Sequence, residues 1–380
     1  MSETADVVIV GGGLHGSSTA FQLARRGLKP LVIEKDYVAR HASGVNAGGV
    51  RRLGRDPAEI PLSLASMEMW HQIADLLDDD CGFVHCGQVK VAESEADLDM
   101  LGARVAQVRS LGFDHEELID RAELRRLVPA ISDHCVGGIV SRADGAADPY
   151  RTTNAFRRKA EALGARYREG TRAHGLVREG RGWRLETDAG PVSAPVVVNA
   201  AGAWADRMAA LVGEHAPVEP NAFLLMISAR VPHFLDPVVG ATSRPLSFKQ
   251  FANGTVLVGG GHRGQIDRDR NWTSINFRGL ALSARTVFDL FPAMRKATIV
   301  RSWAGIEGVM PDQIPVIGPS LREEGFFHAF GFTGHGFQLG PVVGALMAEL
   351  ITTGRTNLPI APFSIGRFNP PAGATPRREP

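Results

Sequence analysis

Residues 7–34 restrict this chain more than any other stretch. A short apolar run, Val7-Val8-Ile9-Val10, enters Gly11-Gly12-Gly13-Leu14-His15-Gly16. A helix-like segment 17–26 follows and is closed by Gly27; a second apolar run, Leu31-Val32-Ile33, ends on Glu34. Strand, G-x-G-x-x-G, helix, strand and acid in that order form the fingerprint of a dinucleotide-binding βαβ unit. Gly11 permits the tight turn, Gly13 lets backbone N–H groups approach a pyrophosphate, and Gly16 lets helix and strand pack closely. The helix N-terminus adds partial positive charge for the phosphates. Glu34, 18 residues after Gly16, stands where a carboxylate accepts hydrogen bonds from an adenosine ribose. Its charge would repel a 2′-phosphate, which argues against NADP; the fingerprint leaves FAD and NAD open.

A chain of 380 residues implies two domains. Its 42 basic and 41 acidic residues balance, so no net field drives binding to nucleic acid or to a membrane surface. The three cysteines, Cys81, Cys86 and Cys135, are odd in number and lack metal-ligand spacing, so neither a disulfide framework nor a metal site is expected. The first strand begins by residue 6, which leaves no room for a signal peptide, and no apolar run is long enough to span a membrane. A cytoplasmic enzyme is the expectation.

Residues 35–52 form a long connection dense in small side chains, and connections longer than about 12 residues are usually functional. Small residues there suit close approach to a flat ligand. An amphipathic helix is read over 61–77, strand alternation over 82–93 including Phe83-Val84, and helices over 94–111 and 121–127. Strand character returns at 136–141, a turn at 144–149, and a helix at 150–163. Glu179-Gly180-Arg181-Gly182 signals a hairpin. The apolar run 194–199 leads into Ala200-Ala201-Gly202-Ala203-Trp204 and suits a buried parallel strand. Alternating strands over 217–310 enclose a helix near 280–290. A strand at 325–331, a glycine-rich turn at 332–341 and a helix to about 352 complete the pattern.

Four motifs together resemble one family: residues 11–34, the loop 41–52, residues 198–204, and residues 301–305 through 331–338. The chain resembles the FAD-dependent D-amino-acid oxidase (DAO) superfamily from residue 5 to about 368. Within it the similarity is to the sarcosine oxidase β-subunit, glycine oxidase and D-amino-acid or hydroxyproline dehydrogenase branch. The resemblance implies an α/β fold with an α+β second domain. A Rossmann-like FAD-binding domain would comprise 1–80, 145–216 and 318–368, and a discontinuous mixed-sheet substrate domain 81–144 and 217–317. Residues 369–380 would be a disordered tail.

The resemblance also implies a set of cofactor contacts. Gly11, Gly13, Leu14, His15, Gly16, Glu34 and Lys35 would hold the pyrophosphate and ribose, with Ala173 at the adenine. Ala200, Gly202 and Trp204 would pass beneath the pyrophosphate. His41, Ala42, Ser43, Asn46, Ala47, Gly48 and Gly49 would run along the isoalloxazine. Gly334, His335, Gly336, Phe337 and Gln338 would point backbone N–H groups at the flavin pyrimidine edge, where charge develops on reduction. Gly305 stands where some relatives carry a flavin-linking cysteine, so the FAD is expected to be non-covalent.

The implied catalytic set is Arg51, His335, Glu307 and Gln338. Arg51 falls where related enzymes keep an arginine near the flavin. Glu307 departs from the pattern: it occupies the position of the arginine that clamps the substrate carboxylate in glycine oxidase and D-arginine dehydrogenase relatives. Either the carboxylate binds elsewhere or Glu307 meets a cationic part of the substrate. Val258 and Gln338 stand where monomeric sarcosine oxidases carry lysines, which favours a dehydrogenase over an oxidase. Arg52, Arg55, Asp148, Tyr150, Lys249 and His262 are lesser candidates: Arg52 and Arg55 read equally well as solvated, Asp148 and Tyr150 read better as a turn acid and a core-edge tyrosine, and Lys249 and His262 are placed at the wall of the substrate cavity. The implied activity is dehydrogenation of the C–N bond of a small amino or imino acid. The alternative is a β-type subunit that works only with a partner electron-transfer subunit.

Overall fold

The apolar runs become two β-sheets in a computed structural model that describes residues 3–369. The six-stranded sheet is ordered Val316–Pro319, Phe326–Phe330, Val196–Asn199, Val7–Val10, Pro30–Ile33 and Arg166–Arg168. All its neighbours run parallel except the first pair. Val7–Val10 and Pro30–Ile33 are buried at every position, as strands covered on both faces must be. Val7 and Ile9 face the helices Leu14–Arg25, Pro149–Ala162 and Gly336–Thr353. Val8 and Val10 face a four-stranded sheet that includes the hairpin Ala173–Glu179 and Gly182–Thr187.

The eight-stranded sheet runs Ile299–Val309, Glu219–Ser228, Val256–Gly259, Ser247–Gln250, Val238–Ala241, Gln88–Ala92, Gly137–Ser141 and Glu117–Asp120. Only Val238–Ala241 and Gln88–Ala92 pair in parallel within it. Helices Glu95–Ser110 and Arg121–Leu127 begin where predicted because Ser94 and Asp120 cap them, accepting from Asp97 N at 3.2 Å and Glu123 N at 2.8 Å. No helix among the described residues is long and apolar enough to cross a membrane.

Three expectations need correction or fall aside. Phe83-Val84 is no strand; only an isolated bridge joins Val84 to Ala146. The expected tail at 369–380 lies outside the described residues apart from Asn369, whose side chain holds His215 N at 2.7 Å and His215 O at 2.8 Å. The glycine-rich stretch 332–341 is not a turn throughout, because the helix already starts at Gly336. Its later glycines serve packing instead. A Cβ on Gly340 would stand 2.4 Å from Leu14 Cδ2, and one on Gly344 would stand 2.1 Å from Ser18 Oγ and 2.5 Å from Ser18 C. The C-terminal helix thus lies directly on the fingerprint helix.

Gly344→Ala tests that contact by its sign. In an uncrowded helix interior Gly→Ala stabilises by about 0.5–1 kcal/mol. Here the methyl group meets backbone, so a loss of about 1–3 kcal/mol is expected by urea unfolding.

Candidate functional site

The strand order reverses beside Val7–Val10: Pro30–Ile33 follows on one side and Val196–Asn199 on the other. Ligands of such sheets bind in the crevice at this switch point. Gly11 and Ala200 leave these two strands side by side. Gly11 has φ +115°, and a Cβ there would stand 2.3 Å from Ala200 O, so only glycine fits the turn. A cavity of about 1140 Å³ opens here and extends from Glu34 and Thr171 to Lys90 and Thr242 on the eight-stranded sheet. That exceeds the roughly 300–1,000 Å³ of ordinary small-molecule pockets.

Glu34 shapes the glycine loop before it meets any ligand. Its Oε2 accepts from Gly12 N at 2.7 Å and its Oε1 from Asp36 N at 2.9 Å. Burial raises its carboxyl above the usual range, and these two N–H groups oppose that rise. Ser43 Oγ accepts from Leu14 N at 2.9 Å. Gly13 and His15 are left as loop N–H donors without a partner among the described residues, at the N-terminus of a 12-residue helix. His15 stacks on Phe332 at 3.5 Å and its Nε2 meets Gly336 O at 3.1 Å, tying the two helix starts together. Burial drives its pKa down to about 3, so the ring is neutral.

The loop 41–49 is held by its own side chains. Asn46 Nδ2 donates to Ala42 O at 2.8 Å, and its Oδ1 accepts from Gly48 N at 2.8 Å. A Cβ on Gly305 would stand 2.1 Å from Val45 Cγ2, so the loop rests on the sheet only because residue 305 is glycine. Trp303 Nε1 donates to Val45 O at 2.9 Å.

His41 lines the cavity, and burial lowers its pKa to about 4. Asn271 Oδ1 accepts from Lys35 Nζ at 2.6 Å and lies 2.6 Å from His41 Nε2. Nε2 therefore carries the proton, and Nδ1 is buried with no partner. Lys35 Nζ sits 3.7 Å from the centre of the Trp204 ring.

Most of the predicted site residues line this one cavity: Gly11, Gly13, Leu14, His15, Glu34, Lys35, His41, Ala42, Ser43, Asn46, Ala47, Gly48, Gly49, Arg51, Ala173, Gly202, Trp204, Gly305, Glu307, Gly334, Gly336 and Phe337. Gly16 and Ala200 are not among its walls and act by backbone packing; a Cβ on Gly16 would stand 2.0 Å from Gly11 O.

Two predicted catalytic residues do not line the cavity. Gln338 is fully buried outside the cavity; its Oε1 accepts from Arg55 Nη2 and Ser63 Oγ, both at 3.1 Å, and its Nε2 donates to Ser63 O at 2.8 Å. His335 also lies off the cavity wall, with Nδ1 2.8 Å from Glu59 Oε2; burial lowers its pKa to about 4. Both serve a buried cluster whose centre is Arg55, 1% exposed, which donates to His335 O at 3.0 Å and faces Glu59 at 3.9 Å.

The lesser candidates divide similarly. Arg52 bonds Asp144 at 3.4 Å, Asp148 caps a helix by accepting from Arg151 N at 2.9 Å, and Tyr150 is exposed. Lys249 and His262 do not line the cavity; Lys249 is buried behind Gly48, and desolvation lowers its pKa to about 8.

Arg51 and Glu307 remain facing the cavity. Arg51 donates to Leu53 O at 2.7 Å and has no carboxylate partner among the described residues. Glu307 accepts from Gly334 N, so that loop N–H is not free as expected. Burial raises the Glu307 carboxyl to about 7, opposed only by that N–H. Sequence reasoning missed Gln88, Lys90, Arg172 and Asn271. Alternation in Gln88-Val89-Lys90-Val91 carried a signal for the first two; nothing local marked Asn271.

Free loop donors, a helix N-terminus, an acid at the end of the second strand and a long cavity fit an adenine dinucleotide. Comparison with known proteins gives the same answer. The profile of the FAD dependent oxidoreductases (DAO) matches residues 6–350. The chain is 27% identical to hydrogen cyanide synthase subunit HcnC of Pseudomonas aeruginosa, covering 98% of this chain and 99% of that one. It is 28% identical to glycine oxidase of Geobacillus kaustophilus, covering 97% and 98%. The crystal structure of L-proline dehydrogenase from P. horikoshii superposes with a TM-score of 0.90 at 27% identity, covering 97% and 99%. The chain belongs to the DAO family of FAD-dependent oxidoreductases.

Proposed function

We propose that this protein dehydrogenates the C–N bond of a small amino or imino acid. The observation that carries the reading is the pairing, in one cavity, of a guanidinium with no carboxylate at ion-pairing distance among the described residues and a carboxyl whose pKa lies near neutrality. In this reading the six-stranded half holds the cofactor and the eight-stranded half holds the substrate. The fingerprint and Glu34 grip the adenosine pyrophosphate portion, and the loop 41–49 borders the flavin ring. Bound FAD supplies the two-electron oxidising power. Gly305 has no side chain with which to bond the cofactor, which supports non-covalent retention.

Arg51 holds the substrate carboxylate. Glu307 takes the proton from the substrate ammonium, leaving the neutral amine that oxidation requires. The imine product then hydrolyses in water. The purified protein is expected to show flavin absorption that bleaches when amino and imino acids are added without oxygen. A colourless protein, or a flavin that no member of such a panel bleaches, counts against the reading. Reoxidation by air against reoxidation by an artificial acceptor then separates oxidase from dehydrogenase.

A second reading makes the chain one subunit of a larger enzyme. It is supported by relatives that are themselves subunits, HcnC among them, and by Phe277 at 82% exposed with Trp272 at 52%. Bleaching by substrate that proceeds to turnover only on co-expression with a neighbouring chain would favour it.

A further inference from the structure

The strand Gln88–Ala92 carries polar groups that the proposed reaction leaves unused. Its alternation sends Val89 and Val91 into the apolar core of the eight-stranded sheet and turns Gln88 and Lys90 to the cavity. The register sets Gly240 beside Lys90 on one side and Ile139 on the other. Gly240 has no side chain to cover the ammonium group, so the space above Lys90 belongs to the cavity.

The Lys90 side chain makes no hydrogen bond or ion pair among the described residues, although its backbone is paired on both sides. The acids around it are engaged elsewhere: Glu116 with Arg104 at 3.0 Å and Gly54 N at 2.7 Å, and Asp97 with Glu93 N at 2.9 Å. Burial, and next the positive charge of Arg51, depress the Lys90 ammonium. Gln88 is only 9% exposed, and its Oε1 is buried without a hydrogen-bond partner. Two cations that face one cavity with no carboxylate at ion-pairing distance among the described residues are unfavourable until an anion completes them.

We infer that Gln88 and Lys90 form a second anion subsite, which takes a carboxylate at the far end of a substrate whose first carboxylate is held by Arg51. The substrate class is then a secondary amine flanked by two carboxylates. The carboxylate accepts from the Lys90 ammonium and from the Gln88 Nε2 amide; the Gln88 Oε1, itself an acceptor, is not what it meets, and a monocarboxylic amino acid leaves Lys90 without an anion. This rests on the amine-dehydrogenating reading above.

The test uses the flavin-loaded protein and two probes, iminodiacetate and sarcosine. Apparent Kd values come from the saturation of anaerobic flavin bleaching. The wild type is expected to bind iminodiacetate at least about tenfold tighter than sarcosine. Lys90→Gln brings the two affinities together, and Lys90→Arg restores the difference. Gln88→Met, which keeps the cation, reads the same ratio if Lys90→Gln loses its flavin, and is expected to narrow it. Equal affinity in the wild type, or a preference that survives in Lys90→Gln and Gln88→Met, overturns the subsite while the dehydrogenase reading stands. If neither probe nor any other amine bleaches the flavin, that reading falls and the subsite with it.

Discussion

Replacing Glu307 with glutamine is expected to lower kcat/KM above neutral pH by about a hundredfold or more, the scale of a lost proton acceptor. Burial holds this carboxyl protonated up to about pH 7. Below that value it cannot accept the ammonium proton; above it, it can. The wild-type rate should therefore climb with pH through about 7, and the Glu307→Gln rate should lack that limb. A variant that keeps the limb would assign the titration to another group. Folding stability moves the opposite way. The folded state keeps a proton on Glu307 that the unfolded chain releases in the ordinary carboxylate range, so stability falls as pH rises from that range to about 7. Glutamine removes the fall.

The second large effect lies outside the cavity. Arg55→Met should cost about 3–5 kcal/mol in urea unfolding, the range for stranding one partner of a buried ion pair. Met fills much of the volume, but Gln338 Oε1 and His335 O each lose a donor, and fully buried Glu59 loses its nearest guanidinium. Glu59 Oε1 already has no hydrogen-bond partner. Adding Glu59→Gln to Arg55→Met should recover part of the loss, because no uncompensated charge then remains. Additive losses would show that the two side chains act separately.

The half that carries the fingerprint was legible in the sequence because its logic is local. Glycines, a cap-like turn and a terminal acid lie within 34 residues, and apolar runs such as Val7–Val10 identify buried parallel strands without any partner in view. The proposed reacting centre was legible only where a family pattern reached it, at Arg51 and Glu307, both of which line the cavity. Gln338 shows the limit. Its position beside the glycine loop suggested a place at the flavin, but helix geometry turns the side chain away, toward Ser63 and Arg55. Three residues earlier, His335 is claimed by Glu59, 276 positions away. Pairings across such separations have no signature in composition or periodicity. Asn271, which fixes the protonation of His41 from 230 positions away, is the same case.

The order of strands in the six-stranded sheet bears on how the protein is made. Val7–Val10 leaves the ribosome first, yet Val196–Asn199, its neighbour, and Phe326–Phe330, the strand beyond, come much later. The fingerprint helix gains its packing partner, Gly336–Thr353, later still. At about 5–20 residues per second, the nascent first strand waits roughly 10–40 s for Val196–Asn199, and its helix roughly 15–65 s for Gly336–Thr353. Until then that edge of Val7–Val10, and the face of its helix that carries Leu14 and Ser18, stay uncovered, open to mispairing with other chains. The cavity that fits the dinucleotide is walled by residues 305–308 and by others within 331–337 as well as by the fingerprint, so it is complete only after that late stretch has been made.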